Sequence, residues 1–161
     1  VHPQVSYYRN LYDVGSAFDY QKVYFEHLAE SAETGLFDTL AHPDLIKNMA
    51  PDEWDFGQIQ PFMERALDRI AATGVAMELN TSGLHKAIAE FNPSQQMLSL
   101  MQERDIPVVI GADAHVPTRV AADYPLALTT LEEVGYTHVN IFLDRVRHPI
   151  AIADALASLA A

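Results

Sequence analysis

Short apolar runs of strand length alternate with longer segments of helical period along most of this chain, and that rhythm restricts the fold more than any other feature. Four runs, residues 37–41, 75–79, 106–110 and 138–143, have the length and side chains of strands. A helix over residues 19–34, stopped by Gly35, precedes the first. After it a loop containing Pro51 and Trp54 leads to a helix carrying Ile59, Phe62, Met63, Ala66, Leu67 and Ile70, which recur at spacings of three and four and share one face. Gly74 ends that helix. Asn92-Pro93-Ser94-Gln95 reads as the next helix start, with Asn92 as cap, Pro93 at the first position and Gln95 closing a capping box. That helix carries Met97, Leu98, Leu100 and Met101. A weaker helix comes next over residues 126–134, ending near Gly135, and the last runs over residues 149–159. Strand and helix alternating four times predict right-handed βαβ units and a parallel sheet in an α/β fold. The β-branched run at residues 106–110 suits a strand covered on both faces. No linker, low-complexity stretch or repeat divides the 161 residues, which fit one domain.

In parallel α/β sheets chemistry collects beyond the carboxyl ends of the strands. Here the four runs are succeeded by His42-Pro43-Asp44, by Asn80-Thr81-Ser82-Gly83, by Asp113-Ala114-His115 and by Asp144-Arg145. Residues i and i+2 of extended backbone point the same way, so Asp113 and His115 can face one site. Cysteine is absent, which leaves imidazole and carboxylate as metal donors, a set that suits Zn²⁺, Mn²⁺ or Fe²⁺. Spacing alone leaves a second reading open at each position. His115 could be a loop histidine bonded to neighbouring backbone. His-Pro-Asp could be only a turn, with Pro43 fixing the backbone and Asp44 capping the next segment. His2, at the start of the chain, reads locally as a solvated terminal residue. His85 lies in the loop after the second strand and can face the mouth of a site. His27, His138 and His148 read as structural or solvated, and Trp54 as loop packing.

Charge narrows the partners. Ten Lys and Arg stand against 22 Asp and Glu, a net charge of −12, which argues against a surface built for long nucleic acid or anionic lipid. Handling phosphate on such a chain requires local positive charge, and metal ions are one source. No apolar run reaches the roughly 18–20 residues of a membrane span, and no signal-peptide pattern opens the chain, so a cytoplasmic protein is expected. The first residue is Val1, not Met, so a preceding segment is expected as well.

Taken in order, Gly35-Leu36-Phe37-Asp38-Thr39-Leu40-Ala41-His42-Pro43-Asp44-Leu45, Glu78-Leu79-Asn80-Thr81-Ser82-Gly83-Leu84 and Ile110-Gly111-Ala112-Asp113-Ala114-His115 resemble successive motifs of the polymerase-and-histidinol-phosphatase (PHP) family. The Asn-Thr-Ser-Gly segment is most similar to the histidinol-phosphatase branch. The resemblance implies the C-terminal portion of a distorted (β/α)₇ barrel, with residues 1–161 a single partial PHP domain. It implies up to three Zn, Mn or Fe ions in the complete domain. By resemblance His42, Asp113 and His115 map onto metal-ligand positions, and Val1-His2 resembles the end of a further motif whose histidine is also a ligand. Asp113 and His115 are on the same footing the catalytic pair, and Asn80, Ser82 and His85 the substrate contacts.

The function so implied is metal-dependent hydrolysis of L-histidinol phosphate, a small phosphorylated substrate, to histidinol and phosphate in histidine biosynthesis. A metal-activated hydroxide would attack the phosphorus, and Asp44 or Asp144 could protonate the leaving group. Two other readings remain: a nucleotide or oligonucleotide phosphoesterase of the same family, and a non-catalytic metal-binding fragment. The family's opening His-x-His motif, a further His and a bridging Glu lie upstream of the residues present. His85 stands where a basic, phosphate-facing residue such as Arg is expected, and Ala112 where Ser is common. A part of a barrel has open strand edges, which predicts lower stability and association into homo-oligomers.

Overall fold

A computed structural model describes residues 15–159 of the chain. Helix α1 (Ala17–Glu33) opens on a capping box in which the Ser16 hydroxyl accepts from the Asp19 amide and the Asp19 carboxylate accepts from the Ser16 amide. Helix α2 (Phe56–Thr73) is capped by Asp55, which accepts from the Gln58 amide at 3.1 Å, and stops at Gly74 in the left-handed region, φ +74°. The spacing expected of α2 holds: Ile59, Met63, Ala66, Leu67 and Ile70 are buried, and Phe62 and Trp54 pack against the same core.

Strands β1 (Thr39–Leu40), β2 (Ala76–Asn80) and β3 (Val108–Gly111) form a parallel sheet in the order β1-β2-β3. Leu40 is opposite Met77, and Asn80 at the end of β2 is opposite Gly111 at the end of β3. Strand alternation puts Met77 and Leu79 on one face, where both are wholly buried, and Glu78 and Asn80 on the other. Helices α3 (Gln95–Gln102), α4 (Tyr124–Val134) and α5 (Ile152–Leu159) continue the row begun by α1 and α2, each touching the next. Met97, Leu98, Met101, Ala127, Leu128, Leu131 and Ile152 join the core from these helices. The mixed α/β layout with a parallel sheet agrees with the alternation in the sequence.

Two local expectations are corrected. Residues 149–151 are not the first turn of the last helix; they end β5 (Val146–Ala151), which pairs antiparallel with β4 (His138–Leu143), and α5 starts only at Ile152. Asp144 and Arg145 form the two-residue hairpin turn, both left-handed at φ +51° and +64°. Such turns usually announce themselves as Asn-Gly or Asp-Gly, and Pro149 inside the run reads against a strand. β5 tolerates that proline because only β4 pairs with it. The hydrogen-bonded backbones accordingly fall into two sheets, three parallel strands and one hairpin, joined by the Asn140 amide donating to the Val108 carbonyl at 3.0 Å.

The second correction concerns α3, which is capped by Ser94, whose hydroxyl accepts from the Met97 amide, and not by Asn92. Asn92 cannot cap because its backbone is committed elsewhere: its carbonyl accepts from the Asn80 amide at 2.7 Å and its amide donates to the Asn80 carbonyl at 3.1 Å. Among the described residues no helix is long and apolar enough to cross a membrane.

Candidate active site

The parallel register delivers the polar residues to one end of the sheet. His42 comes after β1 at φ +54°, Asn80 ends β2, and Asp113, at φ +46°, comes after β3. Non-glycine residues in the left-handed region are uncommon, and two of them here occupy candidate site positions. A chain of polar contacts joins the three strand ends. His42 Nδ1 lies 3.2 Å from Asn80 Nδ2, and Asn80 Oδ1 accepts from the Ser82 amide at 2.9 Å. The Ser82 hydroxyl reaches Asp113 Oδ2 at 3.5 Å, the outer limit of a hydrogen bond, and Asp113 Oδ1 lies 3.3 Å from His115 Nε2. Asn80 is wholly buried, so it fixes this chain from below, whereas His115 is exposed.

Glu78, to which sequence reasoning gave no role, holds the centre. Its Oε2 accepts from the His42 amide and from Asn80 Nδ2, each at 3.1 Å, and lies 3.5 Å from His42 Nδ1. With the imidazole proton on Nε2, Nδ1 accepts from Asn80; with the proton on Nδ1, Glu78 is the nearby acceptor and the Nε2 lone pair is free. The Tyr24 hydroxyl donates to the His42 carbonyl, so both backbone polar groups of His42 are held. Gly111 has no side chain because Glu78 is in its place: a Cβ there would fall 1.9 Å from Glu78 Oε1. The signal for Glu78 was available, since an acid in the middle of an apolar strand run demands a reason.

Asp44, a candidate proton donor by sequence, points the other way. It is wholly buried, its Oδ2 accepting from Lys47 Nζ and from the Ser94 amide, each at 2.8 Å. Burial pushes its carboxyl up to about 6, against the lowering influence of the Lys47 ammonium. Asp144, the other candidate, is in the hairpin turn.

The open space at the sheet end is a cleft of about 310 Å³ bordered by Ser82, His85, Lys86, Asp113, His115 and Arg119. His85 is exposed on its rim, 3.6 Å from Asp123 Oδ2. At the sheet end donors meet in pairs, His42 with Glu78 and Asp113 with His115, and of these Asp113 and His115 border the cleft. Among the described residues no group of three or more His, Asp or Glu side chains is gathered as a metal site. Imidazole and carboxylate are donor types that Zn, Mn or Fe accept. His2 lies outside the described residues.

No family model matches the sequence. A Deinococcus radiodurans protein named "Probable histidinol-phosphatase" is 35% identical over 115 residues, 70% of this chain and 42% of that protein. A Schizosaccharomyces pombe protein of the same name is 28% identical over 119 residues, 71% of this chain and 39% of that protein. Among solved structures, the crystal structure of a Listeria monocytogenes protein described as a candidate histidinol phosphatase matches with a TM-score of 0.60 and 25% identity, over 70% of this chain and 45% of that one. These likenesses support a histidinol-phosphatase-like family, and the chain spans about two fifths of the length of the curated relatives it matches.

Proposed function

We propose that residues 1–161 are a partial domain of a metal-dependent phosphomonoesterase of the PHP type, the C-terminal portion of a distorted (β/α)₇ barrel, acting on L-histidinol phosphate. The observation that carries this reading is the contact chain from His42 through Asn80 and Ser82 to Asp113 and His115, which unites the three motif segments at one end of a parallel sheet. The naming of the matched relatives for the same activity supports it.

By the motif resemblance, His42, Asp113 and His115, and His2 with them, would hold divalent cations, with further ligands completing the coordination. A bound cation there supplies charge neutralisation for phosphate oxygens and an acidified water as nucleophile. Glu78 and Asn80 orient the His42 ring, and Asn80 also fixes the Ser82 backbone, so the ligand and substrate loops keep one geometry. Ser82, beside Asp113, offers a hydroxyl to the substrate, and His85 on the rim is a further substrate contact.

The test is turnover by the full-length protein: phosphate release from L-histidinol phosphate, abolished by chelator and restored by Mn²⁺ or Zn²⁺. Preference for a nucleotide over histidinol phosphate would replace the substrate assignment. The pairwise donor set favours a second reading for the isolated chain, that it binds metal incompletely and does not turn over alone. Full activity of residues 1–161 by themselves would contradict it.

A further inference from the structure

The chain holds ten Lys and Arg, and most of those described are committed. Lys22 pairs with Asp19, Lys47 with Asp44 and Glu90, Arg69 with Glu26 and Glu33, Arg104 with Asp68, and Arg145 with Asp38. Arg65 stacks over the Phe62 ring. Two cations border the cleft over Asp113 and His115, whereas Arg147, which has no ion pair among the described residues, lies away from it on β5. Lys86 makes no ion pair among the described residues, and Arg119 is held through one nitrogen only, NH2, 3.3 Å from Asp123 Oδ2.

Both are carried on braced backbone. Arg119 ends a 3₁₀ turn (Pro117–Arg119) whose amides donate back at 3.0 Å to Val116 and, from Val120, at 3.3 Å to Pro117. The Thr81 hydroxyl donates to the Ala122 carbonyl at 2.8 Å, fastening this loop to the 3₁₀ turn (Thr81–His85) that leads into Lys86. Asp123 lies between Arg119 and His85 and aims both at the same rim. A guanidinium with Nε and one terminal nitrogen uncommitted presents a fork that matches two phosphate oxygens, and an ammonium beside it adds a point charge.

We propose that Arg119, seconded by Lys86, is the anchor for a phosphate monoester dianion in this cleft, supplying a permanent positive charge from the loop after β3; the inference deepens the phosphatase reading and rests on it. The nearby carboxylates of Asp113 and Asp123 repel anions, so an anion held here must engage the Arg119 fork directly.

The test measures binding of inorganic phosphate to the full-length protein by titration calorimetry, beside steady-state kinetics with histidinol phosphate. Arg119→Ala should weaken phosphate binding about tenfold or more and raise KM in parallel, with Arg119→Lys recovering part of the affinity. Lys86→Ala should show a smaller loss. Inhibition by histidinol, which carries no phosphate, should be unchanged in all three, an outcome that a merely misfolded cleft would not give. Equal phosphate affinity in wild type and Arg119→Ala overturns the proposal, as does a wild type that binds no phosphate. Phosphate binding that depends on Arg119 without turnover of histidinol phosphate sustains the anion subsite and removes the substrate reading. Turnover with an unchanged KM in Arg119→Ala does the reverse.

Discussion

His42 and Asp44 are two residues apart on one turn and end in opposite surroundings. Asp44 turns into the protein, where it and Lys47 are wholly buried and the ammonium is further bound to the Phe91 carbonyl at 2.8 Å and Glu90 at 2.9 Å. His42 turns to the sheet end, where its ring meets Asn80 and Glu78 and remains partly open to solvent. The first cluster is sealed from solvent: its charges are paired within the protein, although Asp44 Oδ1 and both polar side-chain atoms of Asn92 have no protein partner. The second stays partly open to solvent at the sheet end. A pair of charged residues near a strand end is therefore not in itself a site; structure and chemistry are separated here by whether the charged groups are sealed inside or left open to solvent.

The contrast predicts its largest effect at Lys47. Lys47→Met leaves a buried carboxylate without its cation and should destabilise the fold by about 3 kcal/mol at pH 8 in urea unfolding, whereas His42→Ala should cost well under half of that. The sign with pH is set by the direction of the Asp44 shift. Its folded pKa, about 6, exceeds the unfolded value of 3.8, so the folded state binds the proton more tightly. The associated stability is fully present below the unfolded value and is lost as pH rises through about 6. Removing Lys47 moves the folded pKa further up, so the deficit of Lys47→Met should shrink on acidification from pH 8 to pH 5. Equal losses in the two variants would dissolve the distinction between the clusters.

Next in size are two glycines, one beside each cluster. At Gly83 an added Cβ would fall 2.2 Å from the Glu90 carbonyl oxygen and 2.9 Å from the Asn92 nitrogen. Both are backbone and cannot swing aside, so Gly83→Ala should cost about 2 kcal/mol in thermal or urea unfolding. At Gly111 the obstacle is the Glu78 carboxylate, the end of a side chain that can rotate away. Gly111→Ala should therefore cost roughly 1 kcal/mol or less in stability but release the His42 amide from Glu78, read as a shift of that amide resonance. A stability loss at Gly111 as large as that at Gly83 would mean that Glu78 is rigid.

Much of this was legible in the sequence. The apolar face of α2 and the parallel pairing of the first three strands could be read from period and alternation, whereas the fourth run left that pattern to pair with β5. The strand-end residues Asn80, Ser82, Asp113 and His115 could be named because parallel topology dictates where loops gather. The features that were not legible depended on contacts between distant segments. Asn92 resembled a helix cap because nothing local reveals that its backbone pairs with Asn80. Asp44 resembled a site acid because its partner Ser94 lies in another loop. Glu78 could have been found by its polarity alone, and Arg119 only after Thr81 was seen to draw its loop to the cleft.

The smallest effect sets the buried ion pair against an exposed one. Arg145 NH2 lies 3.2 Å from Asp38 Oδ1, the same chemistry as Lys47 with Asp44, with the arginine side chain 62% exposed. Arg145→Ala should cost at most about 0.5 kcal/mol, since an exposed pair is screened by solvent. Arg145 also sits at φ +64°, a conformation that alanine retains at similar strain and glycine adopts freely. Arg145→Gly should thus match or exceed the wild type by a few tenths of a kcal/mol, because relief at the turn offsets the lost pair. Unfolding midpoints in the order glycine, wild type, alanine would establish that the hairpin turn, rather than the ion pair, governs this position, and a glycine variant weaker than alanine would assign the stability to Asp38.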